Sequence, residues 1–120
     1  MSRSFVFTTT TELVRIPAES LIYVKADGNY STMTVADGNE YVLTMQLGQI
    51  EHRIAESVDN GDTRFIRIGK SLIVNLDYVT LINPAHGRLI ISDCKSFRHE
   101  VSASRDALRS LKDYVEKGDA

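Results

Sequence analysis

Hydrophobic residues in the first half of the chain occur in short runs separated by turn residues. LIYVKA (21–26) is followed by Asp27-Gly28-Asn29, and YSTMTV (30–35) is followed by Asp37-Gly38-Asn39 and then EYVLT (40–44). Asp-Gly pairs favour tight hairpins because both residues tolerate positive φ. The pattern therefore predicts an antiparallel meander.

The second half continues with strand-like runs that are interrupted by the same kind of residue. The runs are FIRI (65–68), SLIVNL (71–76), YVTLI (78–82), RLIIS (88–92) and SFRHEV (96–101). Breaks are predicted at Gly69-Lys70, Asp77, Asn83-Pro84 and residues 93–95, where glycine, proline, asparagine and aspartate disfavour strand continuation. The chain is predicted to be mainly β.

Two segments change to helical spacing. In the first segment, apolar residues recur at steps of three and four: Leu47, Ile50, Ile54 and Val58. Thr44 is the predicted N-cap of this helix, and Asn60-Gly61 is its predicted end. The second is predicted to begin near Ser104, with Arg109 and Lys112 away from its apolar stripe of Leu108, Leu111 and Val115. The residues expected in the core are Phe65, Ile68, Ile73, Val74, Leu89, Ile91, Leu108 and Leu111.

Length and composition point to a single domain. The chain has 120 residues, 42% of them hydrophobic, which suffices for one ordinary core. Residues 1–14, with their threonine run, are expected to be extended or frayed, and residues 15–117 to form the domain. The apolar runs fall short of the ~20 residues of a membrane span, and Cys94 has no second cysteine to pair with. A cytoplasmic location, with no membrane partner, is expected.

Charge is unevenly distributed along the chain. The first 62 residues contain nine acidic and four basic residues, a net −5, whereas the remainder contains seven acidic and ten basic residues, a net +3. The overall value of −2 does not favour nucleic-acid binding, which usually gives a basic balance. The C-terminal half is nevertheless expected to present a basic face.

Catalytic and metal sites are poorly supported. Cys94, His86 and His99 could suggest a thiol nucleophile with a base, or a metal site, but their spacing is not that of a metal centre. The chain has none of the nucleophile or phosphate-loop motifs, and Gly69-Lys70-Ser71 is followed by a strand-like run where a phosphate loop needs a helix. Cys94 is expected to be an ordinary buried or partly buried thiol. A non-enzyme without metal or cofactor is predicted, and a small Cys94 hydrolase is the weaker alternative.

Four ordered segments between about Arg15 and Val115 carry a recognisable pattern: IYVKADGNYSTM, TMQLGQIEHRI, FIRIGKSLIVN and VSASRDALRSLKDYV. Together they resemble the LytTR family of bacterial DNA-binding domains. FIRIGKSLIVN is similar to the family stretch F-x-R-x-H-[RN]-S-[FY]-[ILV]-V-N. IYVKADGNYSTM is similar to the family's opening strand, TMQLGQIEHRI to its short helix, and VSASRDALRSLKDYV to its closing strand, arginine and helix. The chain departs from the family pattern at Gly69, which stands at the usual histidine.

The resemblance implies a mainly β fold, an elongated stack of small antiparallel β-sheets with two short helices, whose loops enter neighbouring major grooves. It implies a sequence-specific transcriptional regulator of the kind that serves as a response-regulator output domain. Family roles fall on Tyr30, Lys70 and Arg105, with Arg67, Ser71 and Arg109 as supporting DNA-binding candidates. Arginine can pair with guanine, lysine can contact phosphate or guanine, and tyrosine can contact phosphate or a thymine methyl.

Each of the three residues also has an ordinary structural interpretation. Lys70 could be a soluble turn residue, Tyr30 could cap a strand, and Arg105 could pair with Asp106 or another helix acid.

The expected partner is double-stranded DNA, as paired direct repeats bound by two copies of the domain. A chain of this length has no room for a receiver or membrane module, so regulation is expected through abundance, a regulatory protein partner or a surface ligand. The alternative is a protein-interaction module that has the same fold and has lost DNA binding, suggested by Gly69 and the acidic N-terminal half.

Overall fold

The computed structural model describes residues 4–57 and 64–118. Within these ranges the strands are β1 (Ser4–Thr8), β2 (Leu13–Pro17), β3 (Leu21–Asp27), β4 (Tyr30–Val35), β5 (Glu40–Leu43), β6 (Phe65–Ile68), β7 (Leu72–Asn75), β8 (Val79–Asn83), β9 (Arg88–Ser92) and β10 (Arg98–Ser102). The helices are α1 (Leu47–Ser57) and α2 (Arg105–Gly118), and 3-10 turns cover Ala18–Ser20, Leu76–Tyr78 and Pro84–His86. The prediction of a mainly β fold with antiparallel sheets and two helices is confirmed.

The chain divides into two compact units, one ending at Leu76 and one beginning at Asp77. The N-terminal unit contains a five-stranded antiparallel sheet in the order β5-β4-β3-β7-β6, the β1–β2 hairpin and α1. The C-terminal unit contains a three-stranded antiparallel sheet in the order β10-β9-β8, followed by α2. The Asp-Gly pairs correctly predicted hairpin turns. The two-residue turn Gly28-Asn29 joins β3 to β4, and Gly28 has a φ of 65°.

The beginning of the chain forms part of the core of the N-terminal unit. β1 pairs along its whole length with β2, and Phe5 and Phe7 have no exposed surface. The hydroxyl oxygen of Thr9 accepts hydrogen bonds from the amides of Thr11 (3.3 Å) and Glu12 (2.9 Å), which closes the hairpin turn. Within residues 4–14, the segment is therefore paired and packed against the core.

The two helices differ in how well their starts were predicted. α2 begins as expected, since Ser104 accepts from the amide of Ala107 through its hydroxyl (3.1 Å) and from that of Leu108 through its carbonyl (3.0 Å). For α1 the prediction of Thr44 as N-cap was wrong. The carbonyl of Gln46 accepts the first helical hydrogen bonds, and the Gln49 side chain accepts from the Gln46 amide at 2.9 Å, which is one half of a capping box. Val58 and Asn60-Gly61 lie outside the described residues.

The predicted core is largely confirmed. Seven of the eight residues are buried, and Phe65 is the exception: it is half-buried and packs edge-on against Phe5 with ring centroids 5.3 Å apart. In the C-terminal unit, α2 packs against β8 and the 3-10 turn at Pro84–His86. The buried hydrophobic residues described in this unit are Leu89, Ile90, Ile91, Val101, Leu108 and Leu111.

Asn75, the last residue of the FIRIGKSLIVN segment, has a structural role. Its side chain is fully buried, and its amide nitrogen donates to the carbonyl of Leu21 at 2.9 Å. The backbone pairing of β3 with β7 ends at Tyr23 and Val74, so this side chain continues the connection between the two strands beyond their ladder. A buried carbonyl without a donor would be costly, and the asparagine supplies that donor.

We expect Asn75→Ala to lower the free energy of unfolding by about 1 to 3 kcal/mol, because it removes a buried hydrogen bond and leaves the Leu21 carbonyl unpaired. Urea titration followed by circular dichroism measures the change. Asn39→Ala is the matched control: that side chain is exposed and donates only to Asp37 in a turn, so its cost should stay below about 0.5 kcal/mol. Equal losses in the two variants would contradict this role for Asn75.

Candidate nucleic-acid interface

The corner between β6 and β7 presents Lys70 to solvent. Gly69 has a φ of 60° in this turn, a left-handed conformation that glycine adopts without steric cost. Lys70 and Ser71 are both exposed. The two flanking strands are held in register from Phe65–Asn75 to Ile68–Leu72, so the turn is fixed at its base. This conformation favours glycine at position 69, where the family pattern has histidine.

Tyr30 lies at the same end of the sheet as this corner. Strand pairing places Lys25 opposite Leu72, and the Ala26 amide donates to the Ser71 carbonyl at 2.8 Å. One residue further along β3, Asp27 pairs with Tyr30 across the β3–β4 turn. Tyr30 is 51% exposed. The N-terminal unit therefore brings three of the predicted residues, Tyr30, Lys70 and Ser71, to one exposed edge.

Arg67 has a different environment from Lys70. It lies within β6, and its Nη1 atom is 3.3 Å from a carboxylate oxygen of Glu51 on α1. Its side chain is 31% exposed. The ion pair connects β6 to α1, which gives Arg67 a structural contact within the unit, and a partly exposed pair of this kind contributes at most about 1 kcal/mol.

Two further polar residues at this end were missed in the sequence. Lys25 is exposed on β3 and pairs with Leu72 and Thr32 on the neighbouring strands. Asn29 is exposed in the β3–β4 turn. The Asp27-Gly28-Asn29 turn signal could have identified Asn29, whereas Lys25 required knowledge that β3 is paired with β7, a contact between residues about fifty positions apart.

Arg105 belongs to the C-terminal unit, where it is the first residue of α2 and is exposed. Among the described residues, its guanidinium has no ion-pair partner, so the expected alternative of a pair with Asp106 does not occur there. Arg109, one turn further along α2, is also exposed and lines a shallow cleft with Pro84, Ala85, Lys112 and Asp113. Arg105 and Arg109 are four positions apart and therefore share one side of the helix.

The loop between β9 and β10 is organised by Asp93. One carboxylate oxygen accepts from the amides of Lys95 (2.9 Å), Ser96 (2.8 Å) and Phe97 (3.0 Å), and the other accepts from the Ser96 hydroxyl at 2.6 Å. The Ser96 hydroxyl, followed by the Phe97 amide, holds the pKa of the Asp93 carboxyl well below its usual range. A lowered pKa favours the charged form in the folded loop, so these bonds are present at neutral pH and are lost only under strongly acidic conditions.

The prediction that Cys94 is buried or partly buried was wrong. Cys94 is exposed in this loop and has a φ of 61°, because the hydrogen bonds around Asp93 turn the backbone outward at the next residue. The part of the chain that the structure describes contains no group of three His, Cys, Asp or Glu residues arranged to hold a metal ion. Within the same ranges, no helix combines the length and apolarity needed to span a membrane.

Comparison with known proteins agrees with this architecture. The family model of the LytTr DNA-binding domain matches residues 11–116. A solved structure described as the LytTr DNA-binding domain of a response regulator from Bacillus cereus has a TM-score of 0.62 and 19% sequence identity, covering 92% of this chain and 94% of that one. A search of curated proteins gave no match. Since the family model spans nearly the whole chain, including both compact units, the chain belongs to the LytTR family of DNA-binding domains.

Proposed function

We propose that this protein is a sequence-specific transcriptional regulator whose loops contact successive major grooves of duplex DNA. The observation that carries the proposal is the difference in burial between residues of the FIRIGKSLIVN segment. Val74 and Asn75 are buried, whereas Lys70 and Ser71 project from a turn beside exposed Tyr30. An exposed cation, hydroxyl and phenol at one edge of a rigid sheet are suited to a phosphate backbone and the groove beside it.

The individual roles follow from donor and acceptor chemistry. Arg105 offers two parallel N–H donors that match guanine O6 and N7, and because no described residue forms an ion pair with it, these donors are available for DNA. Lys70 offers a mobile ammonium suited to a phosphate. Tyr30 and Ser71 supply hydroxyl groups to phosphate oxygens, and Arg109 supports Arg105 from the same side of α2.

Arg67 is proposed to act on DNA only indirectly. Its ion pair with Glu51 keeps the guanidinium against α1. Arg67 is therefore better placed to hold β6, and the corner that follows it, in position than to contact a phosphate directly. Residues 15–117 are proposed to work as one DNA-binding domain, because both compact units contribute candidate contacts.

Selection from a random pool of duplexes, followed by fluorescence anisotropy with the enriched sequence and a scrambled duplex, tests the proposal. We expect the enriched duplex to bind at least 1,000-fold more tightly than the scrambled one, within the range of specific over non-specific binding. If no sequence is enriched, or if the enriched and scrambled duplexes bind with equal affinity, sequence-specific recognition is rejected.

Paired direct repeats are proposed as the natural element, occupied by two copies of the domain on one face of the duplex. Inserting about half a helical turn, ~5 bp, between the repeats should abolish cooperative binding because it rotates one site to the opposite face. A full-turn insertion of ~10 bp is the matched control and should restore the common face. Electrophoretic titration measures the cooperativity, and identical cooperativity with both spacers would rule out the paired arrangement.

A protein-interaction module is the second candidate, and a feature of the N-terminal unit favours it. A groove beside edge strand β5 is lined by Tyr30, Tyr41 and Val42, with Glu12 and Glu40 as acidic residues. Val42 is 58% exposed. An acidic groove with apolar side chains suits a basic protein segment better than DNA. Absence of binding to every selected duplex at low salt would favour this candidate.

A further inference from the structure

The turn between β8 and β9 lies beside the loop that presents Arg105. In the three-stranded sheet, Asn83 pairs with Arg88 and Arg88 pairs with Ser102, so the β8–β9 turn and the end of β10 share one end of the sheet. The Ala103 amide donates to the Gly87 carbonyl at 3.1 Å. The connection places the turn next to the two residues that precede Arg105.

Gly87 makes this close approach possible. It has a φ of 63°, and a Cβ atom at this position would lie 3.1 Å from the Ala103 carbonyl oxygen. A side chain here would therefore be strained and would push the turn away from the β10–α2 loop. The β8–β9 turn and the β10–α2 loop therefore form one continuous surface. A residue at the tip of this turn can reach the same part of the DNA as Arg105.

His86 occupies the tip of this turn and is exposed. The Oδ1 atom of Asn83 accepts from the His86 amide at 3.2 Å and also lies 3.2 Å from the His86 Nδ1 atom. A backbone amide can only donate, so this atom of Asn83 is the carbonyl oxygen, and its contact with Nδ1 favours the tautomer that carries the ring hydrogen on Nδ1. In the neutral ring Nε2 is consequently an acceptor.

We propose that His86 is a second base-reading residue, whose Nε2 atom accepts a hydrogen bond from the exocyclic amino group of cytosine or adenine in the major groove. These amino groups are the donors that base edges present there. A neutral ring with its hydrogen on Nδ1 offers a lone pair at Nε2, which suits an amino group and does not suit a phosphate oxygen. The inference rests on the proposed DNA-binding function and adds a specificity contact next to Arg105.

The test compares His86→Ala and His86→Lys on the selected duplex, on a scrambled duplex and on duplexes changed one base pair at a time. All variants are compared at one pH and one salt concentration. His86→Ala should bind the selected duplex roughly 3- to 10-fold more weakly, the loss expected for one hydrogen bond, and discriminate less at a single base pair. Binding of the scrambled duplex should not change.

The lysine variant separates a base contact from a phosphate contact. Lysine has donors and no acceptor, so His86→Lys should fail to restore discrimination at that base pair. Equal or tighter binding of His86→Lys to both duplexes with wild-type discrimination would show a phosphate contact and overturn the proposal. His52→Ala is the matched control, since His52 is an exposed histidine on α1 that lies 3.7 Å from Glu56, and it should bind every duplex like wild type.

Failure of this inference can be distinguished from failure of the proposed function. If Arg105→Ala loses affinity for the selected duplex and folded His86→Ala does not, only the role of His86 is rejected. If folded Arg105→Ala, Lys70→Ala and His86→Ala all bind every duplex like wild type, the DNA face itself is misplaced. Circular dichroism and thermal melting establish that each variant is folded.

Discussion

DNA binding by this domain should weaken about 40-fold when the monovalent salt concentration rises fourfold, from about 50 to about 200 mM. Three exposed cations are suited to phosphates near the proposed contacts: Lys25, Lys70 and Arg109. Each neutralised phosphate releases condensed counterions, and three contacts give a slope of about −2.7 in the logarithm of affinity against the logarithm of salt concentration. Fluorescence anisotropy across a salt series measures the slope. The acidic first half of the chain does not alter this expectation, because the slope depends on local contacts and not on net charge.

The scrambled duplex is the internal control for this measurement. Phosphate contacts carry no sequence information, so the selected and scrambled duplexes should give similar slopes although their affinities differ. A slope near zero for the selected duplex would mean that the exposed cations do not meet phosphates, and the interaction module would then become the better interpretation.

Arg105→Ala and Lys70→Ala should affect DNA binding in different ways. Arg105→Ala should cost about 1 to 3 kcal/mol on the selected duplex and relax specificity at one base pair, because two donors to a guanine edge are lost. Lys70→Ala should weaken selected and scrambled duplexes by similar factors and reduce the salt slope by about one unit, because a single phosphate contact is removed. Anisotropy with base-substituted duplexes and a salt series distinguishes the two results.

Matched controls are available at exposed positions that are not among the proposed contacts. Arg15→Ala on β2 removes an exposed arginine and Lys117→Ala in the last turn of α2 removes an exposed lysine. Both should bind like wild type. If the two controls lose as much affinity as Arg105→Ala and Lys70→Ala, binding depends on total charge and not on the proposed face.

Local signals in the sequence predicted most of the fold. The Asp-Gly turns, the short apolar runs and the Ser104 cap each act through neighbouring residues, and all of them are present as expected. The start of α1 was misplaced because the Gln49 side chain caps the amide of Gln46, an arrangement less common than a threonine cap. The N-terminal hairpin was underestimated because the burial of Phe5 and Phe7 depends on contacts with elements far along the chain.

The candidate site was less predictable because its arrangement depends on strand pairing. The resemblance to the family indicated Tyr30 and Lys70, but only the β3–β7 pairing shows that they share an edge. The ion pair of Arg67 with Glu51 spans sixteen positions and has no local signature. The exposure of Cys94 follows from the hydrogen bonds of Asp93, which sequence reasoning identified only as a break between strands.

The burial of Asn75 has a practical consequence for engineering. The Asn75 amide holds β7 against β3 from inside the core, while the turn at residues 69–71 is exposed and is held by backbone bonds, in the β6–β7 ladder and at the Ser71 carbonyl. Exchanging the turn residues should therefore leave folding largely intact, provided that position 69 tolerates a positive φ. The corner can then serve as a graft site, where loops from other family members are inserted to reprogram the target sequence while the sheet beneath is left unchanged.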